Sequence, residues 1–269
     1  MRILSLDSNP VHAIRCLNAG GSPGTFAEET IPVLTGRVEG LPKGVDTLLI
    51  TSDLQARETF HDSCGRPPRL LGEAIPERLA DEWLPAWGFS PARTAVVLAG
   101  DFWTEPALDA RGGIGNVSEV WRAFGRHFAW VAGVAGNHDA FGPQPGTPPR
   151  FAGNLHFFDG TSRCFGSLRI GGVSGILGNP RKPWRRTDED YLSRLETVLH
   201  EPLDLLILHD GPDAPHHRLK GRANVRERIE SRPPKLVVRG HDHWPVPLVE
   251  LPAGVQVLNV DKRVVVLSR

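Results

Sequence analysis

Apolar residues in this chain come in short unbroken runs, and nearly every run stops at a polar residue or a glycine. RILSL (2–6) precedes Asp7, TLLITS (47–52) precedes Asp53, AVVLAG (95–100) precedes Asp101, and VAGVAG (131–136) precedes Asn137. LDLLIL (203–208) precedes His209, and KLVVR (235–239) precedes Gly240. Runs of this length, rich in Val, Leu and Ile and without alternation, predict strands buried on both faces. Between them, residues 76–87, 117–127 and 187–200 carry helical spacing. The last opens on Thr187 with Asp190 three residues on, an amino-terminal cap.

Strand alternating with helix predicts an α/β fold, here two packed mixed β-sheets flanked by helices, with ligand chemistry at the carboxyl ends of the strands. The tail, residues 247–268, reads as short strands joined by turns at 252–254 and 261–262, an antiparallel addition to a sheet. Pro- and Gly-rich stretches at 20–24, 65–68, 142–150 and 178–183 read as surface loops. The polar strand ends come from both sides of each loop, so residues 1–269 are expected to form one domain.

Lys plus Arg and Asp plus Glu are 31 each. A net charge of zero disfavours a nucleic-acid partner held by counterion release, although a local basic patch would revive it. Cys16, Cys64 and Cys164 are odd in number and far apart, which suggests free thiols in a reducing compartment. The opening MRILSLDSNP is too short in apolar residues for a secretory signal, and no run reaches the roughly 18 needed to cross a bilayer. The expectation is a cytoplasmic protein with no membrane partner; the sequence does not give the oligomeric state.

Five segments supply ligand types for divalent cations: Asp53–Gln55, Gly100-Asp101, Gly136-Asn137-His138-Asp139, His209-Asp210 and Gly240-His241-Asp242-His243. A Gly-Asp pair after a strand is by itself most often a turn. Five such segments in order, each directly after an apolar run, carry more than any one of them. In this order they resemble the calcineurin-like metallophosphoesterase family, whose pattern is D-x-H, G-D, G-N-H and an acid, a lone His, then G-H-x-H. Residues 53–243 match every element except the first His, where Gln55 stands.

The resemblance implies a metallophosphoesterase-like β-sandwich, a binuclear hydrolase of phosphate esters or anhydrides in which a metal-bridging hydroxide attacks phosphorus. Asp101 would bridge the cations. One cation would also take Asp53, Gln55 and His243; the other would take Asn137, His209 and His241. A bridging carboxylate suits cations roughly 3.5–4 Å apart. By the same resemblance His138 faces the scissile phosphate, stabilising phosphoryl charge or protonating the leaving group, and Asp139 orients it from behind. An amide oxygen at Gln55 is harder than an imidazole nitrogen, which favours Mn²⁺, with Fe, Mg or Zn as alternatives. The Asp-x-Gln variant is similar to that of the manganese-dependent ADP-ribose and CDP-alcohol diphosphatases.

The expected activity is therefore a phosphodiesterase or nucleotide pyrophosphatase acting on a small phosphorylated, nucleotide-like substrate. A phosphomonoesterase or phosphoprotein phosphatase, or a metal-binding scaffold without catalysis, are the alternatives. For substrate contacts, residues 181–186 offer Arg181, Lys182, Arg185 and Arg186 to phosphate and Trp184 to a base, or else form a solvated basic loop. Residues 56–94, with Arg57, His61, Arg66 and Arg69, form a cap that admits an anion or an ordinary helical insertion. Trp103 and Trp244 are an aromatic wall or core; His216 and His217 favour the surface.

Overall fold

The computed structural model describes residues 1–22, 25–59, 68–109 and 112–269. Its framework is two mixed sheets. In the first, strands run in the order Leu155–Phe157, Trp130–Gly133, Thr94–Leu98, Thr47–Ser52, Arg263–Ser268, Phe26–Glu39, His12–Ala19, Arg57–Glu58, with Arg2–Leu6 also paired to Phe26–Glu39. The second runs Thr161–Phe165, Leu168–Val173, Leu205–Leu208, Leu236–Arg239, Gln256–Asn259, Leu248–Glu250. Strands from Leu155–Phe157 to Thr47–Ser52 are parallel, as are the four inner strands of the second sheet.

Alternate side chains of each central strand go to opposite layers. Leu48, Ile50, Val97 and Val134 meet Ile170, Ile207, Val238 and Leu258 between the sheets. Leu49, Val96, Leu98 and Val131 face outward onto the helices Leu71–Arg78 and Ser118–His127, through Leu71, Ile75, Trp121 and Phe124. On the far side, Leu206, Leu208 and Val237 pack against Tyr191, Leu195, Val225 and Ile229 of Asp188–Val198 and Ala223–Ser231. The result is helix, sheet, sheet, helix, and the unbroken apolar runs arise because both faces of a central strand are covered. Each fully buried Val, Leu or Ile contributes roughly 1.5–3 kcal/mol of transfer free energy, which drives the layering.

Several expectations need correction. Arg2–Leu6 is an edge strand with Ile3 alone buried, not a strand covered on both faces. The helix expected at 76–87 starts earlier, at Leu71, takes Pro76 within it, and continues through a π-helical turn, Leu79–Trp83. Of the two readings left open for residues 56–94, residues 71–86 follow the helical insertion, lying as a helical layer on the outer face of the first sheet. The tail divides: Leu248–Glu250 and Gln256–Asn259 form the expected antiparallel pair, but the 261–262 turn carries the chain across to the other sheet. There Arg263–Ser268 lies between Thr47–Ser52 and Phe26–Glu39. Thr187 caps its helix as expected, accepting from the Asp190 amide. His61, Cys64 and Arg66, and parts of the 20–24 and 65–68 loops, lie outside the described residues. Among the described residues, no helix is long and apolar enough to cross a membrane.

Candidate metal centre

Strands Thr47–Ser52, Thr94–Leu98 and Leu236–Arg239 end on one side of the molecule, and each is followed by a residue with a positive φ: Asp53 (54°), Asp101 (59°) and His241 (68°). Left-handed backbone is uncommon for non-glycine residues and costs on the order of 1–3 kcal/mol, so three cases at neighbouring strand ends mark a place where side-chain direction outweighs backbone comfort. The glycines beside them permit close approach. A Cβ on Gly100 would lie 2.3 Å from the Gly136 nitrogen, and one on Gly240 would lie 2.3 Å from Asp53 Oδ2.

These ends border an open cleft of approximately 560 Å³ that takes in Asp53, Gln55, Asp101, His138, His241 and His243. Depressions of approximately 590 Å³ beside Val11 and Trp87, and 450 Å³ beside Met1 and Lys235, show no such convergence, so chemistry rather than size singles out this one. Among the described residues, Asp101, His209 and His241 form the one group of three acidic or imidazole side chains whose donor atoms lie within 4.8 Å of one another.

Two buried atoms test whether a cation fits. His209 Nδ1 lies 2.7 Å from the Ala99 carbonyl and must donate to it, which leaves Nε2 as the nitrogen that can hold a proton or a cation. That Nε2 makes no hydrogen bond, yet sits 3.1 Å from Asp101 Oδ2. Two facing lone-pair atoms at that distance require a positive charge between them. Asn137 Oδ1 is likewise buried and without a partner. Burial by itself would lower the His209 pKa; the charges of Asp101 and Asp53 outweigh it and raise it to about 10, a proton standing where a cation would. Burial opposes ionisation of Asp101, but His209 and His138 bring its pKa down to about 2. Asp53, buried and close to Asp261 and Asp101, is pushed well above the ordinary range despite His209.

The other half is looser. Gln55 Nε2 is buried without a partner. The His243 side chain is 58% exposed; its Nδ1 lies 2.8 Å from Asp261 Oδ2 and its Nε2 lies 3.4 Å from an Arg263 nitrogen. Asp261 and Lys262 border the cleft as well and were missed in the sequence, where Asp-Lys reads as a turn.

His138 enters the cleft with Nε2 3.9 Å from Asp101 Oδ2. Asp139 does not orient it. The Asp139 carboxylate accepts from the amides of Asp101, Phe102 and Gly136, tying two strand-end loops together, while His138 Nδ1 lies 2.5 Å from the Gly113 carbonyl. Burial and the nearby Asp101 charge raise the Asp139 pKa to about 6, against the pull of its three amide donors. The carboxylate is turned to backbone amides behind the cleft, and the imidazole in front takes the Gly113 carbonyl as its Nδ1 partner instead.

The proposed substrate contacts mostly turn inward. Trp184 is buried against Phe141 and Phe157, not offered to a base. Arg186 is paired with Asp159 and Asp190; of that loop's cations only Arg181 and Lys182 are exposed, Arg185 and Arg186 being half-buried. Arg57 donates to the Pro68 and Thr104 carbonyls above the Trp103 ring, and Arg69 pairs with Glu58. Trp244 is buried beneath Arg239, and His216 and His217 are surface residues.

A frame of two mixed sheets whose strand ends present this donor set is that of a metallophosphoesterase. The chain belongs to the calcineurin-like phosphoesterase family, whose model matches residues 46–245, and hydrolysis of phosphate esters is that family's chemistry. The structure of TT1561 from Thermus thermophilus is similar at a TM-score of 0.54 and 16% identity, over 81% of this chain and 90% of that one. Phosphopantetheinyl hydrolase from Mycobacterium tuberculosis is similar at a TM-score of 0.45 and 16% identity, over 81% and 90% respectively. At 16% identity the likeness to TT1561 is one of fold. No curated protein matches the sequence.

Proposed function

We propose that this chain is a binuclear phosphodiesterase or nucleotide pyrophosphatase acting on a small phosphorylated substrate in the cleft. The observation that carries the reading is the pair of buried atoms at the inner end of the cleft: His209 Nε2, 3.1 Å from Asp101 Oδ2 where a positive charge must lie between them, and Asn137 Oδ1, an acceptor with no hydrogen-bond partner. Asp101, Asn137, His209 and His241 would hold one cation, the inner one. Asp53, Gln55, His243 and a shared Asp101 oxygen would hold the outer one. Two divalent cations bound there supply Lewis acidity to the phosphoryl oxygens and an acidified water as nucleophile.

His138 is the catalytic residue of the chain itself. With Nδ1 donating to the Gly113 carbonyl, Nε2 is the nitrogen that faces the cleft, and in the imidazolium form, with both nitrogens protonated, it can pass its proton to the leaving oxygen and revert to the neutral Nδ1–H tautomer. Asp139 acts at one remove, holding the Asp101 and Gly136 amides and so the geometry of the inner ligands. Gln55 supports Mn²⁺ over Zn²⁺ at the outer position. We take residues 1–269 as one domain, because Arg263–Ser268 is an interior strand of the sheet that Thr47–Ser52 also joins. Cytoplasmic residence agrees with Cys16 and Cys164 being free thiols.

The test is hydrolysis of an aryl phosphodiester and an aryl phosphomonoester by metal-stripped protein with Mn²⁺, Mg²⁺ or Zn²⁺ restored. Diester cleavage that is highest with Mn²⁺ is expected. Preference for the monoester replaces the diesterase reading with a phosphatase, and two bound cations with no hydrolysis of either ester or of nucleotide diphosphates leave a scaffold.

A further inference from the structure

The turn that carries the chain between the two sheets does more than connect them. Asp261 lies where Gln256–Asn259 of one sheet gives way to Arg263–Ser268 of the other, and it bridges to Ser52, the residue directly before Asp53. Its side chain is 7% exposed, at the edge of the cleft, 2.8 Å from His243 Nδ1. The turn is firmly built: the Asn259 side chain accepts from the Asp261 amide at 3.3 Å, and Arg263 donates to the Asn259 and Trp244 carbonyls.

His243 is more than half exposed, so packing does not fix its ring; polar contacts do. A buried carboxylate against Nδ1 makes that nitrogen the donor and puts the lone pair on Nε2. The 3.4 Å contact from Arg263, a donor only, to Nε2 requires the same tautomer. We propose that Asp261 is a positioning residue of the outer metal half-site, holding His243 as the Nδ1–H tautomer so that Nε2 is the nitrogen offered to the cation. This rests on the binuclear reading above. It gives a purpose to a buried carboxylate whose charge lies close to Asp53, and it makes the inter-sheet turn part of the metal centre.

Two measurements on the full chain test it. Long-range ¹H–¹⁵N spectra of the metal-free protein, with His243 assigned by comparison with His243→Gln, report its tautomer directly. The Nδ1–H form should dominate, and it should give way to a mixture in Asp261→Asn. An Nε2–H tautomer in the unmutated protein overturns the proposal, whether or not the variant folds. Mn²⁺ titration followed by electron paramagnetic resonance then counts sites. Asp261→Asn should weaken the outer site roughly ten- to a hundredfold while the inner site keeps its affinity. Unchanged affinity at both sites overturns the role. If the unmutated protein binds no Mn²⁺ at all, the binuclear reading fails, and the tautomer spectrum still decides what Asp261 does to His243.

Discussion

The two halves of the cleft are built differently. Around Asp101, Asn137, His209 and His241, the proposed inner ligands, the side chains are already gathered: Asp101, Asn137 and His209 are at most 3% exposed, and donor atoms of Asp101, His209 and His241 lie within 4.8 Å of one another. Around Asp53, Gln55 and His243 the set is a carboxylate held by Ser52 and the His241 amide, an amide side chain, and a largely exposed imidazole turned toward Asp261. The inner donors sit at the ends of interior parallel strands, where neighbours on both faces leave no room to move. Of the outer ones, Asp53 is buried in the same way, but Gln55 is a long side chain and His243 depends on the Asp261 turn. A preassembled site avoids the ordering cost on binding that a loose one incurs, so the cations should bind unequally, the inner one first.

The substitution expected to do most is Asp101→Ala, because that carboxylate belongs to both halves. It should remove both cations and lower turnover by roughly 10⁴-fold, given several kcal/mol of charge stabilisation from each metal. Retention of one tightly bound cation, measured by elemental analysis, would break the picture of a shared ligand. His138→Ala comes next, at about 10²- to 10³-fold in kcat with metal content unchanged, since it removes a proton donor and no ligand. Loss of metal in that variant would make His138 a ligand instead.

Acidity separates the halves more gently. His209 has a folded-state pKa of about 10 against an ordinary 6.5. Because the folded value is the higher, its proton contributes stability that is complete below pH 6.5 and is lost as pH rises toward 10. The metal-free protein should thus melt at lower temperature as pH is raised from 6.5, while a cation bound at His209 replaces the proton and removes the dependence. A gap between loaded and metal-free melting temperatures that does not widen with pH would place the cation elsewhere. Smallest of all, Gln55→His should leave stability within about 0.5 kcal/mol and shift the outer site toward Zn²⁺ by about tenfold. No change in metal preference would show that Gln55 lies outside the coordination sphere.

How far the sequence could be read depended on how local each cause was. TLLITS (47–52), LLIL (205–208) and LVVR (236–239) were legible as doubly covered strands because every side chain in them is buried and had to be apolar or satisfied at once. RILSL resembled them in composition, yet as an edge strand it buries only Ile3. The hairpin of His12–Ala19 and Phe26–Glu39 escaped notice, since its half-buried strands mix Arg, Glu and Asn with Ile and Val. Trp184 read either as a base contact or as part of a solvated basic loop, and Arg57 either as part of a cap admitting an anion or of a helical insertion. Their burial was settled by an aromatic cluster and by carbonyl partners distant in the chain.

For the centre itself, the sequence by itself determined which residues come after the strand ends and in what order, because each such residue directly follows its own apolar run. Tertiary structure alone decided where each side chain points. The positive φ of Asp53, Asp101 and His241, the diversion of Asp139 to backbone amides, and the meeting of Asp261 with His243 depend on contacts between segments far apart in the chain. Hydrophobic patterning is a property of neighbours along the chain, whereas a donor set closes only when separate strands are packed side by side.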